Sequence, residues 1–326
     1  MSLLDERFPI MGARGRIVLA DRAPGAAPSP RLVHAYEQAR ARLAALERCW
    51  TRFAPDSELS RLTGDPRTTL PASADLRALV RAGAWAGRAS GGLVDITLGA
   101  QIAQAGYDGH WSSAPLPLPE ALAAAPPRAV AAPDPAARWQ ALGADRHAGT
   151  IRRPPGVALD SGGIGKGLAA DLVAADLVGL RFFVDVGGDL AFGHGGGAPP
   201  DVAGAHPLTG APVHTLRVGS GGVATSGLHR RLWRTPGGAP AHHLLDPATG
   251  RPAWTGLIAV TAVGRSALEA EVLAKTALLR GPAGARATLA AQGGVLVRDD
   301  GSSEVVPALR AAAARVVGDR AAAVAA

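Results

Sequence analysis

Glycine and proline cut the second half of this chain into short pieces, and that punctuation limits its fold more than any other feature. From Val157 the pieces follow regularly: a short strand, a glycine turn, a helix predicted from about Ile164 to Leu177, then RFFVDV and the turn Gly187-Gly188-Asp189. A Gly/Pro-rich loop, roughly residues 193–200, leads to HTLRVG, RLWRT, HHLLD and LIAVTAV. Short apolar runs separated by turn residues predict a largely antiparallel sheet. Ser266 and Glu269 have capping-box spacing and open a helix that ends near Gly281-Pro282. GGVLVRD reads as a late strand, and the Ala/Arg tail over 307–326 as a peripheral helix.

The first half is more helical. Ser29-Pro30 reads as an N-cap followed by proline at the first helical position, starting a helix that runs to about Trp50. Ser73 caps a second helix reaching about Arg88, and the loop between them carries a short helical turn bounded by Pro55 and Gly64. The Pro/Ala-rich stretch over 112–137 is too broken by proline for a long helix or a central strand and reads as a surface excursion. The class is therefore α+β, with helices packed on mixed or largely antiparallel sheets and no regular βαβ repeat.

The 34 basic side chains give a net charge of +7, but they are scattered. With no basic run and no finger spacing, nucleic-acid binding is not predicted. A single cysteine, Cys49, rules out an internal disulfide. It flanks the apolar stripe Tyr36, Ala39, Leu43, Leu46, Trp50, which predicts packing rather than nucleophilic work. No apolar run reaches membrane-spanning length, and the first residues lack the pattern of a signal peptide or lipobox, so the expected location is the cytoplasm, with no membrane partner.

Only two of the basic residues are lysine, Lys166 in DSGGIGKGLAAD and Lys275 in SALEAEVLAKT. An ammonium is a compact point charge where a guanidinium is a planar fork, so a lysine kept in an arginine-rich chain marks a place where the fork does not fit. Around Lys166, glycines at the start of a helix let a ligand approach backbone amides, a phosphate-binding design that matches neither the Walker nor the dinucleotide fingerprint. Such a turn is also a common packing device. His242 and His243 sit on a strand that points them to opposite faces, so at most one serves a given site. Asp246, Pro247, Thr249 and Gly250 make a good turn in their own right. Glu271 and Lys275 lie one helical turn apart, and taken alone they read as an exposed ion pair.

The ordered set of MG at 11–12, RFAPDSELSRL, SGGLVDITLG, LDSGGIGKGLAADLV, VDVGGDL, GVATSG, HHLLDPATGRP and AEVLAKTALLRG resembles the FAD:protein FMN transferase family, also called ApbE-like, over roughly residues 8–282. The resemblance implies a single domain over 1–326 that binds FAD. It would move the FMN half onto a threonine or serine of an acceptor flavoprotein and release AMP, with Mg²⁺ at the diphosphate. It leaves open an FAD pyrophosphatase, or a non-catalytic FAD-binding protein with a degenerate metal site.

Carried over residue by residue, it places Met11 and Gly12 near the flavin, with Ala13 in place of the usual threonine. Phe53, with Ser57, Glu58 and Leu59, matches the flavin-pocket segment. Asp95 and Thr97 match an aspartate–threonine element, with Val94 replacing phenylalanine. Lys166 and Asp171 match the nucleotide-binding turn, and the carbonyl of Gly165 a metal-binding oxygen. Thr225, Ser226 and Gly227 match the TSG element, and Asp246 the turn beside the nucleotide. His243 matches the histidine that assists proton removal from the acceptor.

The departure is in the last helix, where the family's metal-binding aspartate and threonine or serine are Glu271 and Lys275. Glutamate can bind Mg²⁺, but an ammonium has no lone pair and repels a dication. Thr276, turned by about 100° around the helix, cannot simply substitute. Lys275 paired with Glu271 would then supply part of the positive charge that Mg²⁺ supplies elsewhere.

Overall fold

The computed structural model describes residues 2–21, 27–109, 116–193, 201–218, 221–309 and 314–316. Its frame is one eight-stranded sheet: β1 (Ser2–Ile10), β2 (Ala13–Asp21), β3 (Arg181–Val186), β4 (Asp189–Gly193), β5 (Gly221–Gly227), β6 (Leu257–Gly264), β7 (Gly294–Arg298) and β8 (Ser303–Val306). Each strand pairs antiparallel with the next in chain order, so the sheet is a meander into which everything else is inserted. Two of its links are two-residue turns, Met11-Gly12 between the paired Ile10 and Ala13, and Gly187-Gly188 between the paired Val186 and Asp189. All four turn residues have positive φ, +49°, +66°, +66° and +95° in order. A tight hairpin loop requires this to match the strand twist, and glycine supplies it at least cost. Met11 is the exception, and its N–H is held by Glu47 Oε1 at 2.7 Å.

The long insertion between β2 and β3 carries α1 (Pro30–Trp50), α2 (Glu58–Thr63), α3 (Ala74–Ser90), α4 (Gly99–Gln104), α5 (Leu118–Ala123) and α6 (Gly165–Asp176). As the sequence predicts, Ser29 and Ser73 cap α1 and α3, accepting from Leu32 N–H and Leu76 N–H. Between β6 and β7 stand α7 (Ala267–Leu279) and α8 (Gly281–Leu289). Ser266 caps α7 by accepting from Glu269 N–H, while the Glu269 carboxylate reaches back one residue further than a capping box, to Arg265 N–H at 2.6 Å.

Helices α1, α3 and α6 cover one face of the sheet over Ile17, Leu19, Val184 and Val186, and α7 and α8 continue that layer over Val260, Ala262 and Leu296. The opposite face, with Leu190, Phe192, Val223, Val263 and Val295, packs on Leu216 and Val218 of a small sheet made by strands Asp201–Ala205, Pro212–Val218 and Ala314–Val316. Strand β6 is buried along its whole length because both layers press on it.

Two expectations change. Within the tail read as a helix, Ala314–Val316 is a strand paired with Leu216–Val218; residues 310–313 and 317–326, like 194–200 of the Gly/Pro loop, lie outside the described residues. In the Pro/Ala-rich stretch, Leu116, Leu118 and Ala121 are buried in the α7–α8 layer, most of its described residues after α5 are at the surface, and residues 112–115 lie outside the described residues. No helix among the described residues is long and apolar enough to cross a membrane.

Candidate functional site

A cleft with two lobes lies where the two glycine-turned hairpins meet the start of α6. The larger lobe, about 220 Å³, is lined by Met11, Gly12, Trp50, Phe53, Gly165 and Lys166 among others. The smaller, about 80 Å³, is lined by Val94, Asp95, Leu98, His243, Lys275 and Leu279 among others. Tyr107, Asp160, Gly162 and Arg231 belong to both walls, so the lobes are adjacent compartments of one site. A cavity of about 410 Å³ between Pro127, Trp254 and Ile258 has none of the candidate residues in its wall.

Both lysines of the chain converge on one carboxylate. Glu271 Oε1 accepts from Lys275 Nζ at 2.8 Å and from Lys166 Nζ at 3.3 Å, and Oε2 accepts from Gly167 N–H at 2.9 Å. Lys166 also donates to Asp189 Oδ2. The expected exposed ion pair is instead buried, with Glu271 0% and Lys275 8% exposed. Two ammonium groups face two carboxylates, a formally neutral set largely taken out of water with only Lys166 partly exposed, which is tolerable because each charge is paired and hydrogen-bonded. Burial pulls the Lys166 ammonium down, but the charges of Asp189 and Glu271 outweigh it and hold it protonated above its usual range. Burial pushes Glu271 up, and Lys166 and Lys275 bring it below the ordinary range. Asp189 is raised to about 7 by burial and by Glu271, against the opposing pull of Lys166.

Helices α6 and α7 hold this set by capping each other. Glu271 of α7 accepts the Gly167 amide in the first turn of α6, and Asp171 of α6 accepts Ala267 N–H at 2.8 Å and Leu268 N–H at 2.9 Å in the first turn of α7. Each carboxylate thus takes up donors that a helix start leaves unpaired, and sits at the favourable end of the other helix's dipole. The exchange needs close approach: a Cβ on Gly167 would lie 2.7 Å from Ala267 O and 2.9 Å from Glu271 Oε2. Asp171 therefore faces α7 and not the cleft.

The paired histidines separate as strand alternation requires. His242, fully buried, meets Trp254 edge-on at 4.7 Å, and burial lowers its pKa to about 3. His243 faces the smaller lobe, its Nδ1 without a hydrogen-bond partner. Burial first, then the positive charge of Arg231 and the neighbouring His242, Lys275 and Lys166, holds it well below the usual imidazole range. It is a neutral base beside cations. Asp95 turns Oδ1 to Thr97, accepting its N–H at 2.8 Å and its hydroxyl at 2.7 Å, while the buried Oδ2 has no partner.

Other candidates lie in the frame around the cleft. Ser57 caps α2, Glu58 accepts from Ser73 N–H at 2.7 Å, and Leu59 is core, which leaves Phe53, beside Arg52, as the candidate of its segment that lines the cleft. Asp246 accepts Ala132 N–H at 2.9 Å and the Thr249 hydroxyl at 2.9 Å, tying its turn to the segment after α5. On β5, Thr225 shares a 2.9 Å hydrogen bond with Thr261. Ser226 alternates with it onto the face where Gly222 touches α7. Neither Ser226 nor Gly227 lines either lobe. The Cys49 thiol, pushed up to about 12 by burial and by Glu58, is chemically quiet.

Four residues of the site, three of them in the cleft wall, escape a reading of the sequence. Asp189, the partner of Lys166, stands in VDVGGDL directly after the glycine turn, and that position was a usable signal. Arg231 and Arg52 are two arginines among many. Arg52 pairs with Asp160 at 3.1 Å and stacks over Phe53 and Tyr107 at 4.3 and 5.0 Å, and Arg231 stacks over Tyr107 at 5.3 Å. Tyr107 follows a short helix with no motif around it.

The donors present do not suit Mg²⁺. At the two side-chain positions, Glu271 is already engaged on both oxygens and Lys275 offers only N–H groups. The hydroxyl of Thr276 is spent on Val272 O at 2.7 Å. Among the described residues no three His, Cys, Asp or Glu side chains gather as a metal-binding group.

The sequence profile described as the ApbE family matches residues 11–297. An FAD:protein FMN transferase of Escherichia coli (strain K12) is 32% identical over 146 residues, 43% of this chain and 41% of that protein. One from Klebsiella pneumoniae (strain 342) is 28% identical over 262 residues, 78% of this chain and 73% of the relative. The chain thus spans about two fifths of the length of the first curated relatives it matches, with 41% covered. Among solved structures, the ApbE protein of Thermotoga maritima superposes with a TM-score of 0.74 at 22% identity, covering 93% of this chain and 96% of that one. The flavin transferase ApbE from Vibrio cholerae does so with a TM-score of 0.69 at 20% identity, covering 98% and 97%. At these identities the likeness establishes the shared fold.

Proposed function

Because the chain belongs to the ApbE family, we propose that it is an FAD:protein FMN transferase, attaching FMN from FAD to a threonine or serine hydroxyl of an acceptor flavoprotein and releasing AMP. The observation that carries this reading is the two-lobed cleft with a neutral, half-buried His243 beside Lys275 and Arg231 on one wall and Lys166 on the other. A dinucleotide needs two compartments with positive charge between them, and the walls supply both. In this reading the flavin occupies the larger lobe, against Met11, Gly12 and Phe53, and the diphosphate crosses near Arg231.

The acceptor hydroxyl attacks the phosphorus of the FMN half, the bond from that phosphorus to the bridging oxygen breaks, and AMP leaves with that oxygen. The hydroxyl proton passes to His243. Its depressed pKa keeps it unprotonated at neutral pH, and a bound diphosphate brings negative charge that raises its basicity. Lys166, Lys275 and Arg231 neutralise the charge that gathers on the phosphoryl oxygens. Mg²⁺ would supply the same neutralisation where its ligands suit it, but the donors at its position in this chain do not. Asp171, Thr225, Ser226, Gly227 and Asp246 support the reading as residues that hold α7, β5 and the histidine turn in place. A cytoplasmic setting belongs to the same reading.

Incubating the purified protein with FAD and a flavin-acceptor protein, then separating the nucleotides, tests it. Transfer gives AMP in step with flavin-labelled acceptor. Free FMN without acceptor would make the protein a pyrophosphatase, and bound but intact FAD would make it a non-catalytic binder.

A further inference from the structure

Lys166 lines the larger lobe and Lys275 the smaller, and a single oxygen, Glu271 Oε1, accepts from both. We infer that the Lys275 ammonium takes the place of a divalent cation here, so that this protein holds the FAD diphosphate between two lysines bridged by Glu271. This deepens the transferase reading and rests on it for the identity of the ligand.

Three observations carry it. First, the position is filled by a cation: Lys275 is 8% exposed and fixed on Glu271 at 2.8 Å. An ammonium bound to one carboxylate oxygen keeps two further N–H groups, and Lys275 stands in the wall of the lobe where a phosphate oxygen can take them. Second, the surrounding carboxylates are already balanced. Asp189 and Glu271 face Lys166 and Lys275, so a dication added there brings its full charge into a buried, formally neutral set. Third, the groups on α7 itself cannot restore a ligand set at this position, since Thr276 donates its hydroxyl to Val272 O and Glu271 Oε2 accepts from Gly167 N–H. In a chain with two lysines and an abundance of arginine, both lysines stand on this carboxylate. An ammonium is a compact point charge that shares one oxygen with a second cation, whereas a guanidinium fork is shaped to span both oxygens of a carboxylate, and here Oε2 is taken by Gly167 N–H.

The test uses Mn²⁺ as a spectroscopic substitute for Mg²⁺, followed by electron paramagnetic resonance. It is added to the full-length wild type, Lys275→Thr and Lys275→Ser, with and without inorganic pyrophosphate. Circular dichroism and thermal melting confirm that each variant is folded. Flavin fluorescence measures FAD affinity in EDTA and in excess Mg²⁺. The wild type is expected to take up no Mn²⁺ with pyrophosphate, and its FAD affinity to differ by less than about threefold between EDTA and Mg²⁺. A folded Lys275→Thr or Lys275→Ser variant is expected to bind Mn²⁺ with pyrophosphate and to lose at least about tenfold in FAD affinity in EDTA.

Stoichiometric Mn²⁺ uptake by the wild type, or tenfold chelator sensitivity of its FAD binding, overturns the inference. So do folded variants that stay free of metal. If the wild type binds pyrophosphate without Mn²⁺ but never binds FAD, the lysine substitution stands and the transferase reading falls.

Discussion

His243 and His242 differ by one position, yet one lines the smaller lobe and the other packs on Trp254. In the proposed transfer His243→Ala removes the proton acceptor, and the rate is expected to fall by about 10²–10⁴-fold with FAD affinity nearly unchanged, as measured by AMP release and flavin fluorescence. An equal loss in both quantities would reduce His243 to a binding residue. His242 acts on stability instead. An imidazole in the unfolded chain protonates near pH 6.5, whereas burial holds His242 at about 3. Between those values the unfolded state binds the extra proton, so this stability is present in full above about pH 6.5 and is lost as the pH falls toward 3, by up to about 1.4 kcal/mol per unit. Urea titrations at neutral pH and at about pH 5 should show a shallower loss for His242→Leu than for the wild type. At this scale the motifs single out Lys166 and the paired histidines as candidates, and strand alternation alone puts those histidines on opposite faces, as found. The burial of Glu271 and Lys275 is not legible in their i,i+4 spacing, which is the same on an exposed helix. The signal was in the neighbours: Ala270, Val272, Ala274, Ala277 and Leu278 are apolar all round α7, the pattern of a fully buried helix.

Among the elements, the exchange of caps between α6 and α7 is the joint on which the cleft depends. Asp171→Ala leaves two amide donors at the start of α7 unpaired and should cost about 0.5–2 kcal/mol in chemical denaturation, with Asp171→Asn recovering part of it. Gly167→Ala forces the helices apart, since its Cβ would meet Ala267 O at 2.7 Å, and is expected to destabilise by about 1–3 kcal/mol and weaken FAD binding as Glu271 moves. An undiminished FAD affinity in a folded Gly167→Ala protein would show that the joint does not set the site. The helices themselves were readable because their signals are local: Ser29-Pro30, Ser73 and Ser266 stand where the caps are found. The tail was misread because an Ala/Arg-rich stretch favours helix locally, while residues 314–316 pair with a strand about a hundred residues earlier. Strand formation there is decided by the partner, which local propensity does not contain.

For the whole molecule, the meander leaves the sheet continuous while the helices and hairpins brought together at one end build the site. The antiparallel class was legible because short strands between tight turns admit little else. The convergence of Met11, Phe53, Tyr107, Lys166, Arg231 and His243 was not, because their spacing along the chain says nothing of the meander that folds them together. A ligand bridging parts so distant in sequence stabilises the whole fold, and FAD at a hundred times its Kd should add about 2.7 kcal/mol to unfolding. The most direct measurement of the central claim is a crystal structure of the protein soaked with FAD. The diphosphate is predicted to lie across the junction of the two lobes, within hydrogen-bond distance of both Lys166 Nζ and Lys275 Nζ, with the flavin against Phe53 and no metal between phosphate and Glu271. A diphosphate bound away from both lysines, or joined to Glu271 through a divalent ion, would contradict it.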